Sequence, residues 1–400
     1  IRGFLLSVVV ALLYIVLIPH ASKYLNINNK YIAIFMMMVV YLFIRPLNII
    51  VLNILRVTER TIFYNVINLI GKAISIALSL LILIYVIGEF YGYFIGIILA
   101  EFIVSVLLFY WFLSIHKINF KMVSGNLAAN LMKFGAPLLI TEISYLLLSY
   151  ADRYLIVAYK GEDALGLYSV GYNLASYLSD MIMFSLSYAV IPIYVGIYEK
   201  EGKEKTEEFL QRCMYYLLIA IIPMIFGYLA VSDDLFSTLA SKKYAAAAVF
   251  SPIILLGSML LGMNNIFNAG LYLKKKSTTM LAIMLSALVV NIFINLILLP
   301  EYGVMGAAIA TLTACIAAVV LTIFLSYKYI IVKVDIKNIF YYIILSVLMY
   351  LAVRQIEIPV VWINLITKII TGVFIIALGV LFKEEEIRSK IKQLILLKAQ

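Results

Sequence analysis

Polar and charged side chains recur at helical spacing inside several long apolar segments of the chain. In segment 131–159 four of them, spaced 3, 4 and 3 residues apart, fall on one helical face: Glu142, Tyr145, Ser149 and Asp152. Segment 164–198 has a second stripe: Tyr172, Ser176, Ser179, Asp180 and Ser187. A charge at mid-bilayer costs about 2.5–3.5 kcal/mol, so such stripes should not face lipid. We predict that both segments line a wet cavity enclosed by protein.

The first part of the chain has three further charges inside apolar segments. Arg45 lies about two-thirds of the way along one segment, Lys72 near the middle of the next, and Glu101 near the middle of the third. Around Lys72, spacings of 3, 4, 3 and 4 give the most regular polar stripe: Asn65, Asn68, Lys72, Ser75 and Ser79. Arg45 and Lys72 are cations, which donate directional hydrogen bonds to phosphate oxygens. They therefore indicate that the cargo has an anionic group.

Two interpretations of these residues are open. In the first, six side chains line a substrate cavity: Arg45, Asn68, Lys72, Glu142, Arg153 and Asp180. Three carboxylates are candidates to bind a coupling ion, H⁺ or Na⁺, with no other cofactor and no metal centre: Glu101, Glu142 and Asp180. In the second, the charges pair between helices, Lys72 with Glu101 and Arg153 with Asp152 or Glu162. Asp152 and Arg153 would then form a helix-end pair, and the Asn and Ser stripes would pack helices together.

The composition is that of a polytopic helical membrane protein. The chain is 65% hydrophobic and 13% charged, with a mean hydropathy of +1.08, whereas soluble domains are about 25% charged. The apolar segments are continuous rather than alternating, which excludes membrane strands. The net charge of +10 does not indicate nucleic-acid binding, because the basic residues fall mainly in loops between the apolar segments.

Twelve membrane spans are predicted, most of them long enough for a bilayer core of about 30 Å. They are 3–19, 31–55, 61–87, 91–115, 131–159, 164–198, 207–231, 247–273, 278–299, 304–330, 338–354 and 360–382. With these spans, most of the 31 lysines and arginines fall on the side of the membrane that holds both ends of this chain. The positive-inside rule predicts that this side is cytoplasmic.

An internal repeat relates residues 56–111 to residues 274–327. Each unit holds a basic loop, an apolar helix, a turn with glycine (Gly92 or Gly303), and a helix that begins with small residues. Both units start on the same side, so the repeat is parallel and predicts two helical lobes. The second lobe has two helices before its repeat unit that the first lobe lacks, so we expect two more helices before Ile1 and fourteen in all. The predicted divisions are an N-terminal lobe 1–116, a linker 117–130, a C-terminal lobe 131–330, two added helices 331–382 and a cytoplasmic tail 383–400.

Three short motifs near the midpoint carry a family resemblance. They are Phe-Gly-Ala-Pro at 134–137, Ala-Asp-Arg-Tyr at 151–154 and Ala-Leu-Gly-Leu-Tyr-Ser at 164–169. Together they resemble the midpoint signature of polysaccharide (O-antigen, Wzx-type) flippases of the MOP superfamily, which also holds the MATE exporters and the lipid II flippases. The resemblance implies a MATE-like arrangement of helices. It also implies a plasma-membrane flippase that moves a polyprenyl-diphosphate-linked oligosaccharide to the external leaflet by alternating access, for cell-surface polysaccharide synthesis.

The expected partners follow from that resemblance, and two other functions stay open. The partners are a lipid-linked saccharide and membrane lipids, with no nucleic acid, for a monomer near the enzymes that assemble the polysaccharide. One alternative is a MATE-type exporter of small organic cations, driven by Na⁺ or H⁺. The other is a membrane polysaccharide polymerase, against which the short external loops and the absence of reaction motifs argue. We therefore expect a transporter and not an enzyme.

Overall fold

The structure, a computed structural model, describes residues 29–57, 61–88, 90–115, 125–240 and 242–385. Several predicted features lie outside these residues. They are the span 3–19, residues 117–124 of the linker, the tail beyond 385 and the side chain of Ser187.

The described residues fold as helices joined by short turns and contain no strand. The helices are α1 (Asn29–Val57), α2 (Thr61–Leu81), α3 (Phe90–Ile115), α4 (Gly125–Glu201), α5 (Lys203–Leu239), α6 (Ala247–Phe267), α7 (Ala269–Leu273), α8 (Ser277–Ser326), α9 (Ile336–Arg354) and α10 (Val361–Lys383). A π-helical segment, Ile82–Ile87, continues α2 and ends at Gly88. A 3₁₀ turn, Lys242–Tyr244, precedes α6.

Glycines divide the two longest helices at the turns that the sequence predicted. Gly161 in α4 has φ 81° and Gly303 in α8 has φ 58°, a backbone region that glycine adopts without steric cost. We call the resulting segments α4a (125–160), α4b (162–201), α8a (277–302) and α8b (304–326). The two turns meet, because Lys160 Nζ donates to the carbonyl oxygen of Pro300 at 2.8 Å.

A second contact holds the turn at Gly161 against the 3₁₀ turn. Lys243 Nζ donates to the exposed carboxylate of Asp163 at 2.8 Å. This hydrogen bond and the charge of Lys243 lower the pKa of Asp163 below its ordinary value. Three turns on this side of the molecule are therefore linked to one another.

The protein is a multi-pass membrane protein. Eight of the described helices are long and apolar enough to cross a membrane. Large apolar side chains such as Ile62, Phe324 and Phe382 are about four-fifths exposed on them (83%, 78% and 83%), a surface that lipid covers without cost. The number of twelve spans stays a prediction.

The chain divides into two compact units, Ile1–Val123 and Ser124–Gln400. The first unit contains α1 to α3, around a small core of Val51, Leu52, Leu55 and Leu108. In the second unit α4, α6 and α8 pack together around a larger core, while α9 and α10 pack on α5. The core of this unit includes the buried rings of Tyr168, Tyr194 and Phe250. The finer limits predicted within each unit stay predictions.

Small residues allow the close helix packing that the repeat predicted. A Cβ atom added to Gly96 would collide with the backbone of Ser79. In the corresponding position of the second repeat unit, a Cβ atom on Gly306 would lie 2.5 Å from the carbonyl oxygen of Leu298. Because backbone atoms cannot move aside as a flexible side chain can, both helix pairs require glycine here.

Replacing Gly306 with alanine should therefore destabilise the protein by about 1–3 kcal/mol. A matched control is Gly196→Ala, because a Cβ atom at Gly196 would have no neighbour within 4 Å. That change should leave stability the same or raise it by up to about 1 kcal/mol through helix propensity. Thermal unfolding of both purified variants in one detergent measures the difference. Equal melting temperatures would show that α8a and α8b are not in close contact at this point.

Candidate substrate-binding cavity

A cavity of about 600 Å³ lies within the second unit, between α4a, α4b, α6 and α8a. Residues of both predicted polar stripes line it. Its charged and amide side chains are Glu142, Arg153, Asn173, Asp180, Asn264, Asn265 and Asn268. Its tyrosine and hydroxyl side chains include Thr141, Tyr145, Ser149, Tyr150, Tyr172, Ser176, Tyr177, Ser179 and Ser258. The cavity thus offers many hydrogen-bonding groups to a polar ligand.

Arg153 is held in the cavity wall by neutral groups. Its Nη2 atom donates to Asn173 Oδ1 at 3.1 Å. Its guanidinium carbon lies 4.5 Å from the ring centroid of Tyr150 and 5.2 Å from that of Tyr172. Its buried Nε atom has no hydrogen-bond partner, and no carboxylate of the described chain pairs with it. Such contacts orient a guanidinium without neutralising its charge.

The two cavity carboxylates, Glu142 and Asp180, are on facing segments, α4a and α4b. Neither carboxylate forms an ion pair or a hydrogen bond with any residue that the structure describes. Two amide oxygens of α6 and its C-terminal end, Asn264 Oδ1 and Asn268 Oδ1, are buried without a hydrogen-bond partner. Buried acceptors of this kind normally find a donor, so the wall offers places for ligand hydroxyl groups, water or a cation.

Asp152 is not part of this cavity, contrary to the prediction. It is 0% exposed and accepts hydrogen bonds from three side chains: Tyr168 (2.7 Å), Asn295 (2.7 Å) and Thr311 (2.5 Å). Asn295 and Thr311 belong to α8a and α8b, which pack over the end of the polar stripe of α4a. The suggested pairing of Arg153 with Asp152 or Glu162 is therefore wrong.

The same residues form a buried polar cluster that sequence reasoning missed. Asn295 Nδ2 also donates to the backbone carbonyl oxygen of Asn291 at 3.0 Å. Two polar atoms of the cluster, Asn291 Nδ2 and Asn295 Oδ1, have no hydrogen-bond partner. The sequence did indicate part of this cluster, because Asn291 and Asn295 lie four residues apart inside an apolar span. Their spacing, however, gives no indication that they contact Asp152.

In the first unit the observed ion pair joins Arg45 and Glu101. Arg45 Nη1 lies 2.7 Å from Glu101 Oε1, and Asn48 Nδ2 donates to the same oxygen at 2.7 Å. Ser105 Oγ donates in turn to Asn48 Oδ1 at 2.8 Å. The suggested pairing of Lys72 with Glu101 is therefore wrong. This network ties α1 to α3.

The other two predicted residues of the first unit lie on α2. Lys72 is exposed in the structure, whereas Asn68 Nδ2 donates to the backbone carbonyl oxygen of Tyr64 at 3.0 Å. Of the six residues predicted to line a cavity, Glu142, Arg153 and Asp180 line the one in the second unit. The roles predicted for all six stay predictions.

A double-mutant cycle should detect the Arg45–Glu101 pair. Hydrogen bonds to charged groups contribute about 1.5–3 kcal/mol, and the Arg45 side chain is 42% exposed, which weakens the pair. The coupling between Arg45→Met and Glu101→Gln should therefore be about 1–2 kcal/mol. A matched control is the helix-surface pair Lys203–Glu207, at 3.6 Å, for which a few tenths of a kcal/mol are expected. Chemical unfolding in detergent measures both cycles, and equal coupling energies would contradict the observed network.

Comparison with known sequences decides the family. The family described as "Polysaccharide biosynthesis protein" matches residues 2–249, more than half of the chain. The chain belongs to this polysaccharide biosynthesis family. The family region contains all six predicted cavity residues, whereas Asn264, Asn268 and the α8 side chains that contact Asp152 lie beyond it.

Two curated relatives of this family member are archaeal proteins. An uncharacterised membrane protein of Methanocaldococcus jannaschii, MJ1068, is 26% identical over 253 residues, covering 60% of this chain and 48% of that protein. A probable low-salt glycan biosynthesis flippase of Haloferax volcanii, Agl15, is 21% identical over 202 residues, covering 50% of this chain and 42% of that protein. The chain thus aligns with about half the length of these relatives.

Solved structures show that the family member has a MurJ- and MATE-like fold. The lipid II flippase MurJ in an inward closed conformation has a TM-score of 0.69 at 16% identity, covering 95% of this chain and 83% of that one. A MATE transporter in the straight conformation has a TM-score of 0.67 at 12% identity, covering 82% and 78% of the two chains. A MOP superfamily transporter from Pyrococcus furiosus has a TM-score of 0.66 at 13% identity, covering 82% and 77%. The predicted fold class, all-α and MATE-like, is therefore confirmed.

Proposed function

We propose that the protein is a flippase that moves a polyprenyl-diphosphate-linked oligosaccharide from the cytoplasmic to the external leaflet of the cell membrane. It works by alternating access, as a transporter and not an enzyme, and it supplies cell-surface polysaccharide synthesis. Both ends of this chain are cytoplasmic, and the protein acts as a monomer near the enzymes that assemble the saccharide. The observation that carries the proposal is the polar cavity around Arg153, inside a membrane-spanning member of a polysaccharide biosynthesis family.

Arg153 is the residue that contacts the diphosphate. Its guanidinium is kept in place by two tyrosine rings and an asparagine, and its charge has no carboxylate partner among the described residues. A planar guanidinium offers paired N–H donors that match two phosphate oxygens. Because the group is already oriented, little side-chain entropy is lost when the diphosphate binds.

Sugar residues of the cargo contact the tyrosines and amides of the same cavity. Tyr145 and Tyr177 present exposed ring surface there, and the C–H face of a sugar packs well against an apolar ring. The unpartnered amide oxygens of Asn264 and Asn268 accept hydrogen bonds from sugar hydroxyl groups. A lining with several donors and acceptors rejects purely apolar cargo, because its polar groups would then stay unpaired.

Glu142 and Asp180 are the proposed sites of the coupling ion, H⁺ or Na⁺. Both are carboxylates in the cavity wall without an ion-pair partner in the described chain. Binding a proton or Na⁺ removes the cost of an unpaired charge in a cavity that closes during transport. Glu101 is a weaker candidate than the sequence indicated, because Arg45 and Asn48 already occupy its carboxylate.

In the first unit, Lys72 contributes attraction for the diphosphate. Its side chain is exposed on α2 and forms no ion pair with any residue that the structure describes. The charge of Arg45 is offset by Glu101 at 2.7 Å, so Arg45 attracts phosphate less. We therefore expect a larger loss of transport from Lys72→Ala than from Arg45→Ala.

A leaflet-translocation assay in proteoliposomes tests the function. The complete protein is offered a fluorescent polyprenyl-diphosphate oligosaccharide, the same lipid without the sugar, and a fluorescent phosphatidylcholine. Protein-dependent movement of the first lipid, faster than that of the other two, is expected. Equal movement of all three lipids would indicate unspecific scrambling and would overturn the proposal.

Export of small organic cations is the second candidate function. The observation that favours it is the pair of unpartnered carboxylates in the cavity, Glu142 and Asp180, which would attract a cation. A cationic fluorescent dye in the same proteoliposomes distinguishes the two functions. Dye movement in exchange for Na⁺ or H⁺, without movement of the saccharide lipid, would support the exporter.

A further inference from the structure

A second cleft lies between α5 and the start of α9, away from the cavity around Arg153. Its volume is about 440 Å³. One wall comes from α5 and the other from the segment before α9 and the first turn of that helix. The polar residues of the cleft are Gln211, Arg212, Tyr215, Lys333, Asp335 and Asn338, and the apolar ones are Met214, Leu218, Val334 and Ile339.

Two cations line this cleft, one on each wall. Arg212, on α5, has a side chain that is 62% exposed, with one guanidinium nitrogen 3.5 Å from Glu208. Lys333, on the opposite wall, forms no ion pair or assigned hydrogen bond with any described residue. The carboxylate in the cleft, Asp335, already accepts hydrogen bonds from the backbone N–H groups of Lys337 and Asn338, which caps α9. The cations are therefore available to an anionic ligand.

The walls of the cleft are held in place by hydrogen bonds. Gln211 Nε2 donates to the carbonyl oxygen of Ile331 at 3.2 Å, and the Ile331 N–H donates to Glu207 at 2.8 Å. On the other side, Tyr215 donates to Glu384 at 2.5 Å. The cleft thus exists before a ligand binds, which reduces the entropy cost of binding.

The position along the helices identifies the kind of ligand. The start of α5 is highly charged as far as Arg212, and the helix becomes apolar from Cys213 onward. The cleft spans this boundary, because Arg212 lies at one end and Leu218 at the other. A ligand that fits has an anionic polar end and an apolar remainder. Basic clefts between membrane helices at this level are sites for anionic lipid headgroups.

We propose that this cleft binds the headgroup of an anionic phospholipid of the surrounding leaflet. The phosphate contacts Arg212 and Lys333. Headgroup hydroxyls donate to the side-chain oxygens of Gln211 and Asn338, whose amide nitrogens already donate to Ile331 and Asp335. The acyl chains follow the apolar side of the cleft along Leu218 and Ile339 into the bilayer. Because these residues belong to α5 and α9, the bound lipid connects the last two helices, α9 and α10, to the rest of the second unit. The site is independent of the transported cargo.

Native mass spectrometry of the detergent-purified complete protein tests this site. Phosphatidylglycerol and phosphatidylcholine are added in equal amounts, and the fraction of protein that retains each lipid is measured. The wild-type protein should retain phosphatidylglycerol preferentially. The double variant Arg212→Gln, Lys333→Gln should lose affinity for it by on the order of tenfold or more.

A matched control separates the site from general charge attraction. The double variant Lys200→Gln, Lys328→Gln removes the same net charge from exposed positions that do not line the cleft, and it should retain phosphatidylglycerol like the wild type. The single variant Lys333→Gln, which removes no internal contact, should also weaken retention and guards against misfolding of the double variant. Equal loss in the control and cleft variants would overturn the proposal. So would equal retention of the two lipids by the wild type.

Inorganic phosphate distinguishes a lipid from a free anion. If the acyl chains contribute as proposed, phosphatidylglycerol raises the melting temperature of the wild type and millimolar phosphate does not. An equal rise with phosphate alone would show a simple anion site and overturn the lipid assignment.

Discussion

Replacing Arg153 with alanine is expected to slow translocation of the saccharide lipid by about ten- to a hundredfold. A hydrogen-bonded contact with a charged group contributes about 1.5–3 kcal/mol, and each 1.4 kcal/mol corresponds to a factor of ten. The loss should appear in the initial rate of translocation at low substrate, where binding of the diphosphate limits transport. Arg153→Lys should keep part of the activity, because lysine retains the charge but not the planar pair of N–H donors.

Arg354 provides a matched control for this experiment. It too is an arginine beside a tyrosine, with Nη1 2.6 Å from Tyr350 Oη and its guanidinium carbon 5.7 Å from the ring centroid. It lies at the end of α9 and does not line the cavity. Arg354→Ala should transport at the wild-type rate, within about twofold. If both alanine variants transport equally well, Arg153 does not contact the cargo.

Replacing Asp152 with alanine is expected to lower the free energy of unfolding by about 2–4 kcal/mol. The carboxylate is fully buried and accepts hydrogen bonds from Tyr168, Asn295 and Thr311. Without it, the buried hydroxyl group of Tyr168 loses its acceptor, and an unsatisfied group of this kind costs about 1–3 kcal/mol. Asn295 and Thr311 each lose one hydrogen bond and keep only those to the backbone carbonyl oxygens of Asn291 and Ala307. Relief from burying the carboxylate itself offsets part of that cost. Chemical unfolding of the purified protein in detergent measures the change.

Two further variants show whether the loss comes from the hydrogen bonds. Asp152→Asn keeps the shape and one acceptor oxygen, and the hydroxyl groups of Tyr168 and Thr311 can turn to accept from its amide, so it should cost less than the alanine variant. Thr311→Ser keeps the hydroxyl donor and should cost less than Thr311→Val. An alanine variant as stable as the wild type would contradict the buried cluster. As a control, Asp163→Ala removes an exposed carboxylate at the start of the next segment, α4b, and should change stability little.

The membrane helices and their turns could be predicted from local properties of the chain. Long apolar segments need a helical backbone in lipid, because every N–H and C=O group must be satisfied within the segment. The turns at Gly161 and Gly303 lie where the sequence places glycine beside polar residues. The close packing at Gly96 and Gly306 also followed from the small residues after each turn.

The cavity could be predicted only in part. The spacing of Glu142, Tyr145 and Ser149 on α4a, and of Tyr172 and Asp180 on α4b, placed each set on one face. The structure then brings both faces to one cavity. The partner of each charge could not be predicted in the same way, since several helices offer a candidate and spacing along one helix does not choose among them. Glu101 pairs with Arg45 rather than Lys72 because the Arg45 side chain of α1 reaches Glu101 on α3, whereas the Lys72 side chain is exposed on α2.

Helical periodicity alone therefore determined which residues share a face of a helix. Long-range packing decided which residues of that face line the cavity and which are buried. Asp152 has nearly the same angular position on α4a as Tyr145, seven residues earlier, yet Tyr145 lines the cavity and Asp152 is buried against α8. The partners of Asp152 on α8 are 143 and 159 residues away in the chain. Their contact depends on the close approach of α4 and α8, which is a property of the tertiary structure.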